Sequence, residues 1–300
     1  MFGKNAIVGQ RWFKDQDPPS DQLFVTSLFM TSQGEGPFRG KPAFFIRLAK
    51  CNLACSFCDT FFDDGEWLTF DQIDSRIKTT IDEYFNNNVP HYAKNYVQTE
   101  DELGTTIKFK PRDMVLVMTG GEPMLQSNIG AFLSFMESKF AHTQIESNGT
   151  LVQDIPSSTV LVVSPKCSER HGQPVKYLEP KQSMLERADC LKFVMSSDPT
   201  SPYNVVPDWA LEWKNSTGKD IFVSPMNIYN DEPRLSKQLR METNSISIEQ
   251  RSKIDEVISW WEPGLLNMHE NQKNHEYTAK YCIDNGLIFN MQLHLFAGIS

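Results

Sequence analysis

Residues Cys51-Asn52-Leu53-Ala54-Cys55-Ser56-Phe57-Cys58-Asp59-Thr60 decide how the rest of this chain is read. Three cysteines at C-x3-C-x2-C spacing follow directly on an apolar, strand-like run, Ala43 to Leu48. A loop this short turns three thiolates toward one point. Three thiolates suit a cubic [4Fe–4S] cluster, because they hold three irons and leave the fourth without a protein ligand. An iron so placed is open to a substrate or a second cofactor, so the spacing points to chemistry at the cluster. Structural zinc is the competing reading. It needs four ligands in a closed tetrahedron, and Cys167, Cys190 or Cys282 is available as the fourth.

The remaining composition limits the alternatives. A chain of 300 residues is long enough for one large α/β domain with a sizeable core. Its 40% hydrophobic and 22% charged residues are ordinary for a soluble globular protein. A formal charge of −9 argues against a surface that neutralises phosphates, so no direct nucleic-acid binding is expected. A small anionic substrate needs only a few local Arg and Lys residues. No basic-then-apolar leader opens the sequence and no apolar run approaches a membrane span, so no membrane contact is expected. The thiols then fit a reducing, cytoplasmic setting, where clustered cysteines bind metal more often than they pair.

Along the chain, residues 1–22 are polar and contain Asp17-Pro18-Pro19-Ser20, and an extended arm is expected there. A first strand, Leu23 to Met30, leads into the Gly/Pro-rich turn Gln33-Gly34-Glu35-Gly36-Pro37. Arg47 interrupts the apolar run before the cysteines, as an arginine does when it snorkels or is held by an anion. Thr69 and Gln72 form a capping box ahead of Ile73, Ile77 and Ile81, which predicts an amphipathic helix ending near Phe85. Residues 86–112 are polar and aperiodic and read as an insertion.

Met114 to Met118 is a continuous apolar strand, as in a strand covered on both faces. It runs into Thr119-Gly120-Gly121-Glu122-Pro123, whose glycines let backbone approach a ligand closely. A helix over Ile129, Leu133, Met136 and Phe140 follows. Further strands end at Glu146-Ser147-Asn148-Gly149, at Ser164-Pro165-Lys166, at Met195 and at Ser224-Pro225-Met226-Asn227. Residues 230–286 read as mostly helical, with a capping box at Ser247 and Gln250 and a Gly286 cap. A last strand is expected from Leu287 to Leu293. Strand after strand ends in a polar or Gly-rich tripeptide, and parallel α/β folds place their sites at such ends. His91, His142, His171, His269 and His275 lie in no motif, and Cys167, Cys190 and Cys282 read as structural thiols.

With the cysteine loop and Thr119–Pro123 both in place, the chain resembles the radical S-adenosylmethionine superfamily. There the open iron chelates S-adenosylmethionine, and reduction of the cluster yields a 5′-deoxyadenosyl radical. The fold implied is α/β, a modified, incomplete (β/α) barrel of that type with inserted helical segments. Residues 23–300 would form a single domain behind the 1–22 arm, with insertions at about 86–112 and 230–286.

A narrower likeness rests on Gln33–Gly36, Arg47, Cys58-Asp59-Thr60, Glu146–Thr150, Ser164–Lys166 and the ending Met291-Gln292-Leu293-His294. In these the chain is similar to the 7-carboxy-7-deazaguanine synthase family. The resemblance implies conversion of 6-carboxy-5,6,7,8-tetrahydropterin to 7-carboxy-7-deazaguanine with loss of ammonia, in 7-deazaguanine (queuosine-type) biosynthesis. It implies a [4Fe–4S] cluster on Cys51, Cys55 and Cys58, S-adenosylmethionine, and Mg2+ on Thr60. Phe57, Cys58, Asp59, Gly121, Glu146, Ser147, Ser164, Pro165, Lys166, Ser224, Pro225, Met226 and Asn227 would hold S-adenosylmethionine. Gln33, Gly34, Glu35, Arg47, Thr119, His294 and the Ser300 carboxylate would contact substrate. An electron donor such as a flavodoxin and a homodimer are implied as well. A glycyl-radical-enzyme activase acting on a protein partner shares the cysteine spacing, but it has no need of Arg47, Thr60 or a fixed C-terminus.

Overall fold

A computed structural model describes residues 6–58, 60–88, 99–100, 106–107, 114–229 and 267–293. The chain opens with helix α1 (Gln10–Gln16), then strands β1 (Gln22–Ser32), β2 (Pro42–Leu48) and β3 (Glu66–Thr69), and helix α2 (Phe70–Asn88). A two-residue pair, β4 (Thr99–Glu100) with β5 (Thr106–Ile107), lies between α2 and the next strand of the main sheet. Next come β6 (Val115–Gly120), α3 (Ile129–Met136), β7 (His142–Ser147), β8 (Val160–Val163) and the hairpin β9 (Cys167–Arg170) and β10 (Gln173–Tyr177). The remaining elements are α4 (Gln182–Arg187), β11 (Cys190–Met195), α5 (Asp208–Thr217), β12 (Ile221–Pro225), α6 (Met268–Asn285) and β13 (Ile288–Phe289).

One nine-stranded sheet has the order β13-β12-β11-β8-β7-β6-β2-β1-β3. From β2 through β13 every neighbouring pair is parallel, and β1 joins β2 and β3 in antiparallel fashion. The parallel strands follow one another in chain order without reversal. That is the winding of an incomplete (β/α) barrel, in contrast to a doubly wound sheet, which reverses at a switch point.

Side-chain alternation sorts the two faces. Phe44, Ile46 and Leu48 of β2 and Leu116 and Met118 of β6 join the main core with Ile73, Ile77 and Ile81 of α2 and Phe132, Leu133 and Met136 of α3. The other face starts apolar and turns polar toward the strand ends: Ala43, Phe45, Arg47 on β2; Val115, Val117, Thr119 on β6; Cys190, Lys192 on β11; Phe222, Ser224 on β12. Polar chemistry therefore collects at one end of one face.

Local signals account for several boundaries. The Thr69 capping box forms in both directions, with Gln72 N–H donating to Thr69 Oγ1 at 3.2 Å and Thr69 N–H to Gln72 Oε1 at 2.8 Å. Gly286 closes α6 in the left-handed conformation, φ 63°. The expected arm is not extended throughout, because Gln10–Gln16 is helical. This helix has no side-chain N-cap, and packing holds it: Phe13 is 5% exposed and meets the Trp67 ring edge-on at 6.1 Å. The last strand is also shorter than expected. Asn290 leaves it to hydrogen-bond Gly36 N–H and Ser224 Oγ, and the chain turns toward the Gln33–Gly36 loop. The capping box at Ser247 and Gln250 lies outside the described residues, as do most of residues 86–112 and 230–266. No helix among the described residues is long and apolar enough to cross a membrane.

Candidate active site

The polar ends of the inner face enclose a cavity of about 660 Å³. Cys51, Cys55 and Cys58 form part of its wall. The loop that carries them is fixed at its entry by backbone. Lys50 adopts φ 72°, its N–H donates to Phe62 O at 2.7 Å, and its carbonyl accepts from Glu122 N–H at 2.8 Å. The Lys50 ammonium reaches the Asp63 carboxylate at 3.2 Å and lies 5.4 Å from the Trp12 ring. Val8 N–H, from the chain before α1, donates to Cys51 O at 2.9 Å. Farther along, Asn52 bonds Thr150 and Asn148, Ser56 N–H bonds Glu169, and the Phe57 ring meets Tyr203 edge-on at 5.1 Å.

The glycines of Thr119–Pro123 serve this loop. A Cβ on Gly121 would lie 1.8 Å from Lys50 O, and one on Gly120 would lie 2.2 Å from Leu48 O. The close approach they permit is thus to the chain's own backbone at Leu48–Cys51. Glu122, 1% exposed, ties this turn to β7. It accepts from Met124 N–H (3.0 Å), Ser147 Oγ (2.8 Å) and Asn148 N–H (2.7 Å). Burial pushes its carboxyl above the ordinary carboxylate range, and those three donors oppose the rise without cancelling it.

The three thiols fit a cluster by their chemistry: soft sulfur donors gathered on one wall. Burial first, and then neighbouring charge including the other cysteines, pushes Cys51 up to about 12. Burial likewise raises Cys55, to about 11, against the pull of Lys166. Thiols so placed become thiolates only when a cation compensates them. Among the described residues no three His, Cys, Asp or Glu side chains gather around a single ion-sized point. Of the other cysteines, Cys282 packs in the main core and Cys190 lies with Val162 and Phe222.

Two residues past Cys58, Thr60 Oγ1 accepts from Arg47 at 2.7 Å, and the Arg47 guanidinium lies 5.6 Å from the Phe29 ring. Phe29 stacks on Phe45 at 5.4 Å, making an apolar wall. Glu35 and Glu146 share one partner, Lys192, which is 8% exposed. Its ammonium lies 2.9 Å from Glu35 Oε2 and 2.5 Å from Glu146 Oε2. Burial would lower this lysine's pKa; Glu146 and then Glu35 override it and hold the charge well above the ordinary range. Ser224 Oγ donates to Glu35 Oε1 at 2.8 Å, and Gln144 Nε2 to Glu146 Oε1 at 3.0 Å. Lys166 bonds Ser164 through Oγ at 2.6 Å and through the carbonyl at 2.7 Å, and burial lowers its pKa.

Most residues singled out in the sequence meet in this cavity: Gln33, Glu35, Arg47, Phe57, Thr60, Thr119, Gly121, Glu146, Ser147, Ser164, Lys166, Ser224, Pro225 and Asn227 line it with the cysteines. Gly34, Pro165 and Met226 do not line it. Gly34 instead accepts from Leu293 N–H at 3.4 Å, and Met226 N–H pairs with Met195 O. Asp59, His294 and Ser300 lie outside the described residues. Sequence reading gave no role to Glu122 and Asn148, although both lie in its motifs, and missed Lys192. Lys192 carried a signal: it interrupts Cys190-Leu191-Lys192-Phe193-Val194-Met195 as Arg47 interrupts its own strand.

No protein-family model matches the chain. It is 29% identical over 299 residues to the 7-carboxy-7-deazaguanine synthase of Rickettsia prowazekii, spanning 100% of this chain and 96% of that protein. It is 32% identical over 212 residues to the 7-carboxy-7-deazaguanine synthase of Rhodospirillum rubrum, covering 69% of this chain and 71% of that one. The crystal structure of QueE from Escherichia coli matches the fold with a TM-score of 0.50 at 19% identity, over 95% of this chain and 98% of that one. The full-length likeness to the first relative and the 32% identity to the second establish that the chain belongs to the 7-carboxy-7-deazaguanine synthase family.

Proposed function

We propose that this chain is a radical S-adenosylmethionine lyase that converts 6-carboxy-5,6,7,8-tetrahydropterin to 7-carboxy-7-deazaguanine with loss of ammonia. The observation that carries the reading is that three thiols, the Gly-Gly-Glu turn and the Arg47 and Glu35 walls all face one cavity. Cys51, Cys55 and Cys58 would hold the cluster. Phe57, Asp59, Gly121, Ser147, Ser164, Lys166 and Asn227 would hold S-adenosylmethionine. Together the two groups, when bound, supply a radical able to remove hydrogen from carbon.

The chain's own residues bind, orient and shield. Arg47 pairs with the substrate carboxylate through its planar fork, and Thr60 offers its hydroxyl to Mg2+ beside it. Glu35 accepts from the amino edge of the pterin, and Gln33 and Thr119 line the same wall. The Phe29–Phe45 stack keeps water from the ring face. Ser224 donates to Glu35, which supports a role for it on the substrate side as well as toward the cofactor. His294 and Ser300 complete the substrate set in this reading. A flavodoxin-type reductant and a homodimer belong to the same proposal.

The test is anaerobic turnover of reconstituted protein with dithionite, S-adenosylmethionine, Mg2+ and 6-carboxy-tetrahydropterin, read by mass spectrometry. A product lighter by one ammonia, formed over many turnovers per S-adenosylmethionine, supports the reading. Cleavage of S-adenosylmethionine with the pterin untouched overturns the substrate assignment.

A further inference from the structure

Two successive carbonyls at the start of the cysteine loop are held by different parts of the chain. Lys50 O accepts from Glu122 N–H at 2.8 Å, and Cys51 O accepts from Val8 N–H at 2.9 Å. Beside that bond, Ile7 pairs with Cys51 in a single parallel bridge. The same segment reaches the far end of the loop, where Ala6 N–H donates to Asp63 Oδ2 at 2.9 Å. Asp63 Oδ1 meanwhile accepts from Lys50 Nζ at 3.2 Å. One carboxylate thus ties together the entry of the loop, its exit and the chain before α1. These bonds hold a segment that has little else. Ala6, Ile7 and Gly9 are exposed and Val8 is half-buried. Behind them α1 is well seated, with Phe13 against Trp67, Trp12 5.6 Å from the Phe24 ring, and Lys50 Nζ 5.4 Å from the Trp12 ring. Few apolar contacts and few hydrogen bonds put a segment at the low-stability end of a fold, so residues 6–9 can lift away while α1 stays in place. Cys51, which they contact, is only 8% exposed.

We propose, on the cluster reading of Cys51, Cys55 and Cys58, that residues 6–9 are a releasable strap whose opening frees Cys51 and sets the rate at which the site loses iron. Asp63 is the positioning residue that closes it. Opening breaks the Val8 and Ala6 bonds but none of the pairing in the nine-stranded sheet. Variants of the strap should therefore act on iron retention well beyond their effect on the fold. A segment that merely added bulk stability would affect iron loss no more than an equal destabilisation elsewhere in the chain.

The experiment follows iron release to an anaerobic ferrous chelator from reconstituted wild type and variants. Urea midpoints, and amide hydrogen exchange of residues 51–62 in iron-free protein, are measured beside it. Val8→Pro removes the N–H and should speed release about 3- to 10-fold, as loss of one neutral hydrogen bond implies. Val8→Ala keeps the N–H and should release iron at the wild-type rate. Asp63→Ala frees Ala6 N–H and loosens Lys50, and should speed release about 10- to 100-fold, because these bonds involve a charged group. Loop amides should exchange faster in Val8→Pro and Asp63→Ala by similar factors. Gly218→Ala, strained at φ 70° where α5 ends, destabilises the fold elsewhere and should leave release unchanged. Release from Val8→Pro and Asp63→Ala no faster than from Gly218→Ala overturns the proposal, and so does Val8→Ala losing iron as fast as Val8→Pro. Wild type that takes up no iron would instead defeat the cluster reading on which the strap rests.

Discussion

Glu122→Gln is the substitution whose effect the structure specifies most closely. Glu122 accepts three hydrogen bonds while almost wholly buried, two on Oε1 and one on Oε2. Glutamine keeps the shape but turns one oxygen into an NH2 group. The less costly placement points that group at Asn148 N–H, which sacrifices the single bond on Oε2 and sets donor against donor. A hydrogen bond to a charged group contributes about 1.5–3 kcal/mol, and a buried N–H left unpaired costs about 1–3 kcal/mol. Removal of a buried charge returns part of this, so the net loss should be about 2 kcal/mol. Glu122→Ala strands all three donors and should cost about 3–6 kcal/mol. Asn148 also holds Asn52 of the cysteine loop, at 2.9 Å, so the loss should reach the cluster. Urea titration under argon, read by far-ultraviolet circular dichroism and by iron–sulfur absorbance, measures both. A Glu122→Gln protein within about 0.5 kcal/mol of wild type, with full iron content, would refute the assignment of Glu122 as the strut between turn and loop.

Four further outcomes are expected. Gly121→Ala should lower iron per chain and destabilise by about 3 kcal/mol or more, because its Cβ meets Lys50 O at 1.8 Å. Gly36→Ala, with φ 70° but open space, should cost only about 1–2 kcal/mol, and urea midpoints will separate the two. In iron-free protein, burial raises Cys55 to about 11, so at pH 8 alkylation by iodoacetamide should run roughly a hundred-fold slower than for an ordinary thiol. The rate should climb with pH through 9 and 10; a flat profile would contradict that burial. Arg47→Lys removes the fork and the 2.7 Å bond to Thr60. Substrate KM should rise about ten-fold or more with little change in kcat and unaltered cluster absorbance.

Much of this arrangement was legible in the residues, for identifiable reasons. Parallel strands covered on both faces stand out as continuous apolar runs, so Ala43–Leu48, Val115–Met118 and Cys190–Met195 were readable. Capping chemistry is local, and Thr69–Gln72 and Gly286 announced themselves for that reason. Helix α1 gave no such sign, because its stability comes from Trp67 and Phe24, which lie elsewhere in the chain. The site divides along the same line. Cysteines, paired glycines and the Gln33–Gly36 turn carry chemistry in their spacing. Glu122 shows its role only once β7 lies beside the turn, and Lys192 only once two distant glutamates converge on it. The motif glycines were expected to let backbone approach a ligand, and what they admit is the backbone at the entry of the cysteine loop.

The distances in sequence between Glu35 and its partners have a consequence for how the chain is made. Lys192, Ser224 and Asn290 follow Glu35 by 157, 189 and 255 residues. Backbone partners for the cysteine-loop entry come early, from Val8 and Phe62, with Glu122 next. At ribosomal speeds of about 5–20 residues per second, Glu35 waits roughly 8–30 s for Lys192 to emerge. The two halves of one cavity therefore mature in sequence during synthesis: the cysteine entry first, the far wall last. A nascent chain halted between β8 and β11 would carry the three thiols with Gly121 and Glu122, while Glu35 still lacked its ammonium. The wall that depends on both groups stays incomplete until β11 has emerged.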